Sequence, residues 1–189
     1  MTGQELLLLT PWLLGGIALW SLLEYLIHRF MGHSPRGRNP FRTEHVRHHA
    51  TTHYFAPTLK KALVATPVIG LIWALLALLL GLHKGSAFAL GLAVMYVAYE
   101  VAHRRAHTHP PTGPYSRWLR LNHFHHHFRN PRANHGVTSP IWDFVFGTHE
   151  KPELIRVPEK HGMTWLLDPA TGNVRPEFAE DYVIVRPRA

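Results

Sequence analysis

ALVATPVIGLIWALLALLLGL, residues 62–82, contains no charged side chain, and its length decides the architecture. A helix rising about 1.5 Å per residue needs about 20 apolar residues to cross the ~30 Å hydrocarbon core of a bilayer. Two further stretches read the same way. Leu6–Leu23 is uncharged between its flanks Glu5 and Glu24, and Ser86–Ala102, the shortest, carries only Glu100. No positive residue precedes the first run, so it reads as a retained span and not as a cleaved signal peptide. The chain is expected to be an all-α integral membrane protein with about three transmembrane helices and short helices outside them.

Outward from these spans, punctuation residues mark the remaining elements. The first helix is expected over Gly3–Phe30, bending near Pro11 and Gly15-Gly16, and Ser34–Pro40 ends it. A short helix over Thr43–Tyr54 follows, with Thr43 as N-cap, and Pro57 closes it. Lys61–Leu82 and Ser86–His107 form a helical hairpin whose His83–Gly85 connection admits only antiparallel neighbours. The stretch His109–Pro114 breaks the chain before a helix over Tyr115–Phe128. From Glu150 no membrane-length run occurs, and Tyr182–Val185 reads as a brief strand. The expected division is a membrane-embedded domain, 1–149, and a cytoplasmic C-terminal tail, 150–189.

Charge supplies orientation. Of 20 Lys and Arg residues, seven lie in Arg29–Lys61 and twelve in Arg104–Arg188, with Lys84 alone in the tight connection. Positive loops stay on the cytoplasmic side, so the N-terminus and the hairpin connection are expected outside. The formal charge of +8 then reports topology and anionic lipid, and no nucleic-acid partner is expected. The absence of cysteine excludes thiolate-ligated haem, Cys-ligated iron–sulfur clusters and Cys-containing zinc sites.

Ten of the 17 histidines fall into four clusters: His28-x4-His33, His45-x2-His48-His49, His103-x3-His107 and His123-x2-His126-His127. Residues three and four apart share a helix face, so the three rings of each His-x2-His-His run are expected to converge on one point. His28 and His33, five apart, would splay on a continuous helix, and Gly32 is expected to bend the backbone between them. Ten imidazoles exceed the capacity of one ion and suit two. Neutral imidazole binds iron, zinc and copper alike. Glu24, Glu44, Glu100 and Asp143 are candidates to accept the distal N–H of a ligand ring. His83 is on the wrong side of the membrane, His125 points away from its neighbours, and His53, His109, His135, His149 and His161 fall outside the repeated spacings.

The quoted clusters, together with EYLIHRFMGH (24–33) and GVTSPIWDFVFGT (136–148), resemble the fatty acid hydroxylase / sterol desaturase superfamily over roughly residues 20–149. The four-residue first spacing and the separate His-x3-His box are most similar to the fatty acid 2-hydroxylase branch. The resemblance implies a membrane-bound non-haem di-iron enzyme with two iron ions, which zinc can replace in isolated protein, and dioxygen as co-substrate. It implies hydroxylation of a lipid, a fatty acyl chain first of all, and electrons are expected from a separate donor protein. A sterol desaturase or oxidase and a carotenoid hydroxylase carry the same boxes and stay open as alternatives. From another class, a His-rich divalent-metal transporter would need polar residues near the midplane, where these spans are apolar. No His-Glu-x-x-His motif supports a metalloprotease.

Overall fold

The computed structural model describes residues 2–33 and 39–187; most of the expected Ser34–Pro40 break lies outside them. Among the described residues, three helices are long and apolar enough to cross a membrane: Gly3–Gly32, Thr58–Leu80 and Leu82–Thr108. The chain divides into two compact units, one of Met1–Leu23 with Ala56–Glu100 and one of Glu24–Phe55 with Val101–Ala189.

In the first unit, α1 (Gly3–Leu7) starts in a capping box, the Thr2 hydroxyl accepting from the Glu5 amide and the Glu5 carboxylate from the Thr2 amide. The chain tightens at Leu8–Leu9 and continues as α2 (Thr10–Leu26). The interruption therefore precedes Pro11, whose ring cannot follow a regular turn, and does not extend to Gly15-Gly16. Those glycines serve packing. A side chain on Gly16 would strike the Phe88 carbonyl, and one on Gly91 the Leu13 carbonyl, so α2 approaches the third span backbone to backbone.

Helix α4 (Thr58–Leu80) buries no residue, and Leu63, Leu71, Leu78 and Leu79 face outward as a lipid-facing surface requires. The turn into α5 (Leu82–Thr108) is Gly81 alone, at φ +90°, a conformation that favours glycine. The hairpin connection is thus shorter than expected, and His83, Lys84 and Gly85 belong to α5. Lys61 and Glu100 pair at 2.5 Å.

In the second unit, the first span ends in a π-helical stretch, Ile27–Gly32. Helix α3 runs over Pro40–Ala50, earlier than the expected Thr43–Tyr54. Asn39 caps it by accepting from the Arg42 amide at 2.8 Å, and Pro40 pre-sets the first turn. Helix α6 (Pro114–Phe128) follows the proline break. The buried Arg120 guanidinium joins it to the end of α5, donating to the carbonyls of Arg105, His109 and Ser116. A short α7 (Ile141–Val145) precedes β1 (Ile155–Pro158), which pairs in parallel with β2 (Tyr182–Val185).

The second half of this unit has its own core of Phe124, Ile155, Val157, Met163, Trp165, Leu166 and Tyr182. Phe124 belongs to α6, so residues after 150 are packed onto the helix that carries the last histidine cluster. The Trp165 indole N–H also donates to the His107 carbonyl at 3.2 Å.

Candidate metal centre

The ten clustered histidines form two groups of five, each with ligand atoms within 4.8 Å of one another. The first group is His28, His33, His45, His49 and His126; the second is His48, His103, His107, His123 and His127. Each His-x2-His-His run is therefore shared between groups and does not converge on one point. The reason is angular. On an α-helix successive residues turn about 100°, so i and i+4 differ by about 40° while i+3 and i+4 differ by about 100°. His45 and His49 accordingly face the first group and His48 the second, while His123 and His127 face the second and His126 the first. The same i, i+4 pairing places His103 and His107 together on α5.

His28 and His33 solve the five-residue spacing differently. The segment that holds His28 is π-helical, with i→i+5 hydrogen bonding, so residues five apart come to one side. Gly32 contributes by what it lacks: a Cβ there would lie 2.9 Å from Cδ2 of His45. The two groups meet where His49 and His127 stack with ring centroids 4.0 Å apart.

The donor set fits metal ions. In the first group the His33 Nε2 atom lies 2.7 Å from His45 Nε2 and 2.8 Å from His126 Nε2. In the second, His107 and His123 Nε2 are 2.8 Å apart, and His103 and His48 Nε2 3.1 Å. An imidazole nitrogen holds either one proton or one lone pair, so His33 Nε2 cannot be satisfied by both neighbours through hydrogen bonds. Nitrogens bound to one ion at 2.0–2.1 Å and at right angles lie about 2.9 Å apart, the separation seen here. His28 Nε2, His49 Nε2 and both ring nitrogens of His127 are buried without a hydrogen-bond partner, a cost of about 1–3 kcal/mol per group that a bound cation removes.

Protonation favours the same reading. Burial and then neighbouring rings hold His45, His123, His126 and His127 well below the usual histidine range. His33 is lowered to about 4 by burial, His135 and Arg42, and His49 to about 3 by burial, His33 and His48. These rings are neutral at physiological pH, the form that ligates.

The distal nitrogens of three rings meet backbone carbonyls. His28 Nδ1 is 2.5 Å from the His135 carbonyl, His48 Nδ1 2.7 Å from that of Tyr54, and His126 Nδ1 2.7 Å from that of Ala133. Each carbonyl accepts the Nδ1 proton and leaves an Nε2 lone pair facing the group.

The four carboxylates lie elsewhere in this scheme. Glu24 accepts from the Val137 and Thr138 amides and the Thr138 hydroxyl. Asp143 accepts from the His135 amide, the Gly136 amide and the Thr148 hydroxyl. Together they clamp loop 133–139, which supplies two of the carbonyls, so they act on the rings through the backbone. Burial pushes the Asp143 carboxyl up, but its interactions with His135, Gly136 and Thr148 outweigh that and hold it below the usual range. Glu44 receives the Tyr54 hydroxyl and Glu100 pairs with Lys61.

Sequence spacing did not single out His135. It is buried, its ring centroid 5.4–5.8 Å from those of His28, His33 and His126. Its adjacency to Gly136 in the GVTSPIWDFVFGT stretch was the available signal. His125 faces away from both groups, with Nε2 2.8 Å from the Glu150 carboxylate.

The family model "Fatty acid hydroxylase" matches residues 13–148. The chain belongs to the fatty acid hydroxylase family. It is 34% identical over 142 residues to the dihydroceramide fatty acyl 2-hydroxylase FAH2 of Arabidopsis thaliana, covering 70% of this chain and 58% of that protein. To the ceramide very long chain fatty acid hydroxylase SCS7 of Saccharomyces cerevisiae it is 34% identical over 147 residues, 73% of this chain and 38% of the relative. To the Homo sapiens fatty acid 2-hydroxylase it is 31% identical over 148 residues, 74% and 40% respectively. The solved structure described as full-length scs7p with only the hydroxylase domain visible matches with a TM-score of 0.62 and 27% identity, over 77% of this chain and 58% of that one. The chain thus spans between about two-fifths and three-fifths of the length of these relatives.

Proposed function

We propose that the protein is a membrane-bound di-iron oxygenase that hydroxylates a fatty acyl chain of a membrane lipid, using dioxygen and electrons from a separate donor protein. The observation that carries the reading is the pair of five-imidazole groups, with neutral rings and converging lone pairs, in a chain with three membrane-length helices. The names of the relatives, fatty acyl and ceramide hydroxylases, favour an acyl chain over a sterol or carotenoid.

His28, His33, His45, His49 and His126 would hold one ion, and His48, His103, His107, His123 and His127 the other. Iron bound there supplies dioxygen activation, chemistry that no protein acid or base provides for an unactivated C–H bond. One oxygen atom enters the substrate C–H bond and the other leaves as water, so each turnover takes two electrons and two protons from outside.

The protein contributes position. The carbonyls of His135, Tyr54 and Ala133 fix the tautomer of His28, His48 and His126, and the Glu24 and Asp143 carboxylates fix the loop that bears two of those carbonyls. Burial of His107, His123 and His126 keeps bulk water from the ligand nitrogens. Positive-inside bias supports a cytoplasmic location for the groups, where soluble reductants arrive.

The test is extraction of lipids from cells with and without the gene, followed by mass spectrometry for species heavier by one oxygen atom. Hydroxyacyl lipids are expected only with the gene, and are lost in His48→Ala and His127→Ala variants. No new oxygenated lipid, from cells whose purified protein holds two ions per chain, would overturn the reading.

A further inference from the structure

Helix α7 has a surface that the metal chemistry does not use. Ile141, Phe144 and Val145 stand at i, i+3 and i+4 and are 55%, 62% and 62% exposed, and Phe146 beside them is 45% exposed. Asp143, the single charge between 133 and 148, points the opposite way and is fully buried. Four large apolar side chains on little more than one turn, with the polar member turned inward, would be an aggregation hazard in water.

Their surroundings identify the occupant. The Phe146 ring stacks on Tyr25 with centroids 5.1 Å apart and planes within 10°. The Tyr25 hydroxyl is 3.0 Å from Thr148 Oγ1. Tyr25 belongs to the membrane-length helix Gly3–Gly32 and stands two residues beyond the uncharged run Leu6–Leu23. It therefore stands where the uncharged part of that helix has ended, as a residue at the acyl–headgroup boundary of a span would. Phe30 and Met31, further along that helix, are also exposed, at 57% and 43%. Arg29 lies between them and Tyr25, its guanidinium 5.1 Å from the Phe30 ring centroid and bonded to the Tyr25 hydroxyl at 2.6 Å. A cation beside exposed apolar side chains matches lipid phosphate next to acyl carbons.

We propose that α7 is a membrane-seated helix whose Ile141–Phe144–Val145 face, with Phe146, lies in the acyl–headgroup boundary of the lipid leaflet at the C-terminal end of the first span. The opposite face of the same helix holds loop 133–139 through Asp143, so the bilayer itself seats the loop that orients His28 and His126. The inference depends on the membrane-spanning helices and not on the reaction catalysed.

The chain has no cysteine, so single cysteines report position directly. Full-length protein with Phe144→Cys or Val145→Cys, each bearing an environment-sensitive fluorophore, is reconstituted in phosphatidylcholine–phosphatidylglycerol vesicles. Leu71→Cys, on a span and 72% exposed, serves as the lipid reference, and Glu180→Cys, with a side chain 90% exposed, as the water reference. Lipid carrying a nitroxide high on the acyl chain is expected to quench the two α7 labels several-fold more than the Glu180 label, and iodide to quench them several-fold less. Metal content of two ions per chain identifies folded samples, and either α7 position suffices as reporter. Iodide quenching of both α7 labels equal to that at Glu180 would overturn the proposal and make this face a docking surface for a soluble protein.

Discussion

Asp143 ties three donors to two oxygens, and the geometry separates it from Glu24 in a way that substitution can read. Its Oδ1 accepts from the His135 amide and the Thr148 hydroxyl, and its Oδ2 from the Gly136 amide. In Asp143→Asn one acceptor becomes an NH2 group facing a backbone N–H that cannot turn away, leaving a buried donor unpaired at about 1–3 kcal/mol. Glu24 differs. Its Oε1 takes both backbone amides and its Oε2 only the Thr138 hydroxyl, which can rotate and accept instead. Glu24→Gln should therefore retain metal nearly as well as the native protein. Asp143→Asn should lose about 10–100-fold in affinity, the usual effect of disturbing a ligand's support. Chelator competition measures both, and the cobalt absorption spectrum reports ligand geometry independently of activity. Equal losses in the two variants would show that the clamp does not act through individual acceptors.

At the scale of elements, the π-helical turn Ile27–Gly32 is the device that lets a five-residue spacing behave like the i, i+4 pairs of α3, α5 and α6. A π turn is an α-helix with one residue inserted. Deleting Met31 should relax the turn to α-helix and leave the two rings about 40° apart, still on one face, so two ions per chain are retained. Inserting alanine after Met31 instead makes the spacing six, about 240° on an α-helix, and swings His33 away. The second group draws no ligand from this segment, so the insertion should leave about one ion per chain by elemental analysis. Two ions in both variants would remove the π turn from the argument. The same element shows what sequence could reveal. Runs of apolar residues announce spans whatever their packing, and the i, i+4 pairs His45/His49, His103/His107 and His123/His127 are legible because helical periodicity is local. The assignment of His48 and His126 to opposite groups depends on where two helices stand, and the carbonyl partners at Ala133, His135 and Tyr54 depend on loop paths; neither leaves a mark on side-chain type. Strand β1 is hard to read for another reason: the alternation of Ile155, Arg156 and Val157 covers only three residues, and pairing with β2 is what makes it a strand. Helix α3 starts ahead of Thr43 because Asn39 before Pro40 is a stronger start signal than a threonine cap.

For the whole molecule, sidedness separates an oxygenase from a metal carrier. Helix α5 begins beside His83 and ends with His103 and His107, so if this helix crosses the membrane, His83 is expected on the side opposite these candidate ligands. Positive residues supply the sign, with Lys84 alone near the start of α5 and twelve after Glu100. An oxygenase fed by soluble reductants needs its ligands on the cytoplasmic side only, whereas a carrier needs access from both and polar groups at mid-membrane. A cysteine replacing His83 should be labelled by a membrane-impermeant maleimide applied to intact cells. A cysteine replacing the exposed Thr171 should be labelled only after lysis, and no native cysteine competes. Labelling of Thr171→Cys from outside would place the candidate ligands away from cytoplasmic reductants. The electron supply on which the proposed hydroxylation depends would then have to come from a donor beyond the membrane, and the assignment of Lys and Arg to the inner face would fail with it.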